Sequence, residues 1–222
     1  MSSPSPNVSE PLGIFGGTFD PIHYGHLRLA EEARELLGLG RVLWIPAGQP
    51  THRGAPGAAA SCRLAMVRQA IAGNPGFLLD AGEAPGQPSY TVPTLERLRG
   101  THGGEQSLVL LVGADAFAGL PTWRRWREIF DLAHVGVAHR PGFPVLEDNL
   151  PGELADEFRR RRSEPAVLRQ QAAGRIATFA MTQLAISATQ IRRLLINGHS
   201  PRYLLPDAVL DYIHSNHLYR NT

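Results

Sequence analysis

The chain has 222 residues, 43% of them hydrophobic, with 22 basic against 20 acidic side chains and a formal net charge of +2. All of the basic residues are arginine, so the absence of lysine excludes the P-loop, which needs Gly-x-x-x-x-Gly-Lys-Ser/Thr, and any Schiff-base mechanism on a side-chain amine. The charge balance gives no sign of a nucleic-acid partner, no apolar run approaches the roughly 20 residues of a membrane span, and the single cysteine, Cys62, can form no internal disulfide.

Residues 1–10 are rich in Ser and Pro and lack a basic segment leading into an apolar one. They are expected to be a mobile tail rather than a secretory signal, which makes a cytoplasmic location the expectation. Residues 11–222 are predicted to form a single domain, as a monomer or a homodimer. Leu12–Phe15 reads as the first strand and ends in the paired glycines Gly16 and Gly17. A helical pattern over Gly25–Leu37 follows, then a strand over Val42–Ile45 and a helix over Ala59–Ala72. Cys62, beside Leu64, Met66 and Val67, is expected to be a small, half-buried hydrophobe. Phe77–Leu79 reads as a strand, Val92–Arg99 as a helix, Leu108–Val112 as a near-continuous apolar strand and Trp123–Asp131 as a helix. Val135–Ala138 and Ile176–Phe179 are strands, and Ala188–Asn197 and Asp207–His214 make a helical C-terminal region within 186–222. Gly38, Gly73, Gly100 and Gly198 stand where helix C-caps are expected.

Residues 141–175 interrupt the alternation with Pro144, Pro151 and Pro165 around a charged helix, Glu153–Arg162, and are expected to be a surface excursion. The run Arg159–Arg162 points all round that helix, so it reads as a solvated face rather than a nucleic-acid stripe. Alternation of buried strands with helices predicts an α/β, doubly wound, Rossmann-like parallel sheet of five or six strands with helices on both faces. Ligands of such folds sit beyond the carboxyl ends of the strands.

Two stretches carry the chemistry. Gly16-Gly17-Thr18-Phe19-Asp20-Pro21-Ile22-His23-Tyr24-Gly25-His26 is a strand–turn–helix junction, where backbone amides and the positive end of a helix dipole converge on a site suited to phosphate. His23 and His26 share one face of the helix they open. The pair reads either as capping, half-buried histidines or as N–H donors to phosphate oxygens; a metal site lacks the further ligands it needs. In Ile186-Ser187-Ala188-Thr189-Gln190-Ile191-Arg192-Arg193, Ser187 and Gln190 fit a capping box, which places a second helix N-terminus, with hydroxyls and Arg192, where phosphate could bind.

Together these stretches resemble the nucleotidyltransferase superfamily and, within it, the bacterial nicotinate-nucleotide adenylyltransferases. The resemblance runs from about Leu12 to Arg220. It is supported by Pro50-Thr51-His52-Arg53, Pro88-Ser89-Tyr90-Thr91, Gly113-Ala114-Asp115, Pro121-Thr122-Trp123, Arg140-Pro141-Gly142 and the ending Leu218-Tyr219-Arg220. It implies that Gly16, Gly17, Thr18 and Phe19 line the ATP and mononucleotide phosphates through their backbone, with His23, His26 and Arg192 as the catalytic grip. It further implies that Ser187, Thr189, Gly113 and Asp115 bind ATP, Asp115 through a ribose hydroxyl. His52, Arg53, Tyr90, Thr91, Trp123 and Arg140 would bind nicotinate mononucleotide, with Trp123 stacking on the pyridine while Trp126 packs inward. Mg²⁺ would enter with ATP and take few protein ligands.

Two departures from the family pattern stand out. Thr51 and Arg53 replace the commoner Pro and Lys around His52, and Pro93 stands where an Asp is usual, in the first turn of a helix that Thr91 would cap. Rivals within the superfamily act on pantetheine phosphate or a polyol phosphate and rely on a lysine that is absent here. Class I aminoacyl-tRNA synthetases need a Lys-Met-Ser-Lys-Ser loop, also absent. A sensor that binds nucleotide without turnover is the alternative of another class, and product formation separates it from an enzyme.

Overall fold

The computed structural model describes residues 10–50, 54–83 and 86–220. In chain order the elements are β1 (Leu12–Gly17), α1 (Tyr24–Leu36), β2 (Arg41–Pro46), β3 (Gln49–Pro50), α2 (Ala60–Ile71), β4 (Phe77–Leu79), β5 (Pro88–Ser89) and α3 (Thr91–His102). They continue with β6 (Leu108–Gly113), α4 (Ala114–Ala118), α5 (Ile129–Leu132), β7 (His134–His139), α6 (Gly152–Arg161), β8 (Ile176–Ala180), α7 (Ala188–Ile196) and α8 (Asp207–Ser215).

The main sheet has six parallel strands in the order β4-β2-β1-β6-β7-β8. The order reverses between β1 and β6, so the turn after β1 lies at the topological switch point, where the helices that follow its two neighbours depart to opposite faces. Period-two alternation distributes the strand side chains between two cores. Phe15, Val42, Trp44, Val109 and Leu111 face one side, where α1, α2, α7 and α8 cover them with Ala33, Met66, Val67, Ile191 and Leu210. Leu12, Ile14, Leu43, Ile45, Leu108 and Leu110 face the other, covered by Leu95, Leu98, Phe117, Phe130, Leu154 and Phe158 from α3 to α6.

Each predicted strand is present, within one or two residues at its ends. A second, two-stranded sheet, β3 with β5, went unforeseen, because strands this short leave no periodicity to read. The helix predicted over Trp123–Asp131 is replaced by a 3₁₀ turn over Trp126–Glu128 and the short α5, preceded by Arg125, whose φ of 59° no α-helix accommodates. Gly38 and Gly198 take the left-handed conformation after α1 and α7, at φ of 63° and 71°. Gly100 instead lies inside α3, which ends at Gly103, and the backbone at the end of α2 stays right-handed at Ala72.

The segment 141–175 is more than a surface excursion, because α6 buries Leu154 and Phe158 in the second core. On its outer side Arg159 pairs with Glu147 and Asp156, while Arg160 and Arg161 both pair with Glu157. No helix among the described residues is long and apolar enough to cross a membrane. Most of the tail predicted over residues 1–10 lies outside the described residues.

Candidate active site

A cleft of about 1130 Å³ opens beyond the carboxyl ends of β1, β2, β6 and β7. Gly16, Gly17, Thr18, Phe19, His23 and His26 line it from the first turn and α1. Ser187, Thr189 and Arg192 line it from the start of α7. Tyr90 and Thr91 from the start of α3, Gly113 and Asp115 after β6, and Trp123 and Arg140 complete the set. Segments separated by as much as most of the chain thus meet around one cavity. His52 and Arg53, with Thr51, lie outside the described residues.

The turn is built tightly. A Cβ on Gly17 would lie 2.9 Å from Cζ of Phe19, whose ring turns inward from a left-handed backbone at φ 49° and is buried. That ring meets His26 edge-on, with centroids 5.1 Å apart, and so supports the histidine from below. His23 is the N-cap of α1, and its ring stacks on His26 at 3.7 Å between centroids. The backbone amide of His23 donates to Nδ1 of His26 at 3.3 Å. A neutral His26 ring that accepts at Nδ1 carries its proton on Nε2, where it is a donor. Nδ1 of His23 is buried without a hydrogen-bond partner among the described residues, although it borders a polar cleft.

His23 thus stands buried at the N-cap position of α1, close to one reading of the pair, and both rings border the cleft. Burial drives the His23 pKa down from 6.5 to about 4, so the ring is neutral at pH 7. Because the folded value lies below the unfolded one, the unfolded chain takes up the proton first, and stability falls as pH drops from about 6.5 toward 4. His23 alone is expected to lower unfolding free energy by about 2 kcal/mol between pH 8 and pH 5. Urea unfolding of the wild type and His23→Gln at both pH values checks this. An identical pH dependence in the two proteins would show that His23 is not the group responsible.

Across the cleft, Ser187 caps α7 as predicted, its Oγ accepting from the Gln190 amide at 3.1 Å. Arg192 donates to the Asp20 carbonyl oxygen at 2.7 Å, and its Nη2 lies 3.4 Å from Oγ1 of Thr189. Helix α3 begins differently from expectation. Tyr90 is its N-cap and Thr91 its first residue, so Pro93 falls at the third helical position, where a missing N–H costs no intrahelical bond. Trp126 is buried in the second core while Trp123 borders the cleft, which is the predicted division of labour, although the 3₁₀ turn rather than a helix face produces it. Arg124 lies over the Tyr90 ring at 5.2 Å and steadies that side of the cleft.

Three supporting residues escaped the sequence reading. Arg63 is 1% exposed and donates to the carbonyls of Ala58 (3.2 Å), Thr18 (2.8 Å), Ala47 (2.6 Å) and Gly48 (2.7 Å). Burial pulls its pKa down, opposed by the nearby Asp20 carboxylate. A signal existed: Arg63 falls on the stripe of α2 that also carries Met66, Val67 and Ile71, a charge on a buried face. Asp20 and Tyr219 are likewise buried, and their contacts join positions too distant in sequence for spacing to reveal.

The sequence matches the cytidylyltransferase-like family over residues 14–194. A protein of Dechloromonas aromatica (strain RCB) named probable nicotinate-nucleotide adenylyltransferase is 66% identical over 97% of this chain and 100% of its own. One of the same name from Acidithiobacillus ferrooxidans is 47% identical over 97% of this chain and 98% of its own. Among solved structures, Plasmodium falciparum nicotinic acid mononucleotide adenylyltransferase complexed with NaAD superposes with a TM-score of 0.71 at 15% identity, covering 95% of this chain and 97% of that one, and so shares the fold. Matched along most of its length by one family and along nearly all of it by these relatives, the chain belongs to the cytidylyltransferase-like nucleotidyltransferases, in the nicotinate-nucleotide adenylyltransferase family.

Proposed function

We propose that the protein joins ATP to nicotinate mononucleotide, giving nicotinate adenine dinucleotide and pyrophosphate, a step of NAD biosynthesis in the cytoplasm. The observation that carries this reading is the single cleft in which the α1 histidines and the α7 cap face each other, with Trp123, Tyr90 and Thr91 on its flank. A phosphate oxygen of the mononucleotide attacks the α-phosphorus of ATP in line. The new O–P bond forms as the bond to the bridging oxygen breaks, and that electron pair leaves on pyrophosphate. The nucleophile is already an anion, so no general base or covalent enzyme intermediate is needed.

What the chain must supply is alignment of two anions and donors for the charge that develops on the α-phosphate and the leaving group. The residue types fit. His26 offers an N–H at Nε2, Arg192 a fixed cation, and the amides of Thr18 and Phe19 and of the first turn of α7 a set of backbone donors. Asp115 and Trp123 line the same cleft, which supports roles for the carboxylate in accepting from a ribose hydroxyl and for the indole in stacking on the pyridine. Among the described residues no group of three His, Cys, Asp or Glu side chains could hold a metal ion. Mg²⁺ would enter with ATP and neutralise part of the charge on its triphosphate.

Pyrophosphate release with ATP and Mg²⁺, comparing nicotinate mononucleotide, nicotinamide mononucleotide and phosphopantetheine at matched concentrations, tests the proposal. A strong preference for the nicotinate form is expected. Faster release with another acceptor would overturn the substrate, and no release with any of them would favour a sensor.

A further inference from the structure

Behind the phosphate turn, the buried Asp20 carboxylate gathers groups from three distant parts of the chain. Its Oδ2 accepts from the Gly57 amide at 2.7 Å, and its Oδ1 accepts from the Ala58 amide at 3.1 Å and from the Tyr219 hydroxyl at 2.6 Å. Nη1 of Arg192 bonds the carbonyl of the same residue at 2.7 Å but stays 3.6 Å from Oδ2. Tyr219 belongs to the C-terminal segment after α8 and is buried. A Cβ on Gly57 would lie 3.1 Å from the Tyr219 ring and 3.4 Å from Cδ of Arg192, so the ring and the arginine stem share one seat over that glycine.

The geometry describes a competition. An arginine beside a free carboxylate closes into a two-toothed pair at about 2.8 Å. Here Oδ1 already accepts from both the Tyr219 hydroxyl and the Ala58 amide, so only Oδ2 keeps an open acceptor position; a two-toothed pair cannot close, and Arg192 stays on the backbone carbonyl and borders the cleft. Burial and the hydrogen bond to Asp20 both push the Tyr219 pKa up, so the hydroxyl keeps its proton and remains a donor throughout the neutral range.

We propose that Tyr219 is a positioning residue for nucleotide binding: by holding the Asp20 carboxylate, it keeps that group from capturing Arg192 and leaves the guanidinium available to the triphosphate. The inference rests on the reading that Arg192 meets ATP. Tyr219→Phe removes the hydroxyl and keeps the ring on Gly57.

The test is a double-mutant cycle on ATP binding, read by calorimetry with Mg²⁺ and without an acceptor, using wild type, Tyr219→Phe, Arg192→Ala and the double variant. Tyr219→Phe is expected to weaken ATP about tenfold when Arg192 is present and less than about twofold in the Arg192→Ala background. Equal weakening in both backgrounds, or none in either, would overturn the proposal. A fall in melting temperature with ATP affinity unchanged would also overturn it, since that is what a purely structural anchor predicts. Failure of the wild type to release pyrophosphate would overturn the proposed reaction instead, while the binding cycle would still decide the role of Tyr219.

Discussion

Replacing His26 with alanine is expected to lower kcat by about 100- to 1000-fold with both substrates saturating, the usual loss when one preorganised donor to a developing charge is removed. The size of the effect follows from how the ring is held. Its Nδ1 accepts from the His23 amide, which commits the proton of the neutral ring to Nε2. Stacking on His23 and edge contact with Phe19 then fix the plane of the ring before any ligand arrives. Water that fills the space left by His26→Ala can offer a hydrogen bond but must be oriented as the charge develops, and this reorientation is the cost that preorganisation avoids. Steady-state kinetics with ATP and nicotinate mononucleotide would check the prediction, alongside circular dichroism to verify folding. Turnover near the wild-type value would remove His26 from the machinery.

The second large effect is expected at Arg63, and on stability first. Arg63→Met keeps an apolar stem in α2 but strips hydrogen-bond donors from four backbone carbonyls that converge on one guanidinium. Loss of charge-assisted bonds costs more than loss of neutral ones, while removal of the buried cation gives back its own desolvation penalty. A net loss of about 3 kcal/mol is expected, which for a chain of this size lowers the melting temperature by roughly 6–12 °C.

A loss of activity should accompany the loss of stability, because one of those carbonyls belongs to Thr18. The C=O and N–H of a peptide plane point in opposite directions, so a Thr18 carbonyl held on Arg63 fixes the direction of the Phe19 amide as well. Calorimetric melting together with kcat at a temperature well below the transition separates the two effects. A melting temperature within about 2 °C of the wild type would show that the four bonds contribute little.

Much of this molecule is legible in its sequence because the determining signals are local. Near-continuous apolar runs such as Leu108–Val112 can be satisfied only by strands covered on both faces, and alternation with helices leaves a doubly wound parallel sheet as the natural arrangement. The strand–turn–helix junction at Gly16–His26 and the Ser187 cap of α7 are also local, since each depends on residues within a turn of one another. The broken segment between Trp123 and Asp131 was not legible. Its helical composition contains no Gly or Pro at the break, where Arg125 takes a left-handed conformation just before Trp126 and Phe130 enter the second core. In the same way, apolar positions Leu154 and Phe158 among many charges do not reveal that α6 is part of the core until a sheet is present to receive them.

The sequence by itself therefore determined the class of fold, the two helix starts that border the cleft and the residue types that meet there, because hydrophobic period, capping chemistry and glycine turns act over a few residues. The tertiary structure alone decided which groups hold that site in shape. Arg63 reaches three segments through carbonyls, and Asp20 meets Gly57, Arg192 and Tyr219, contacts that exist only once chain-distant elements have packed. A buried charge can be satisfied by backbone from anywhere in the fold, and no spacing rule connects it to its partners.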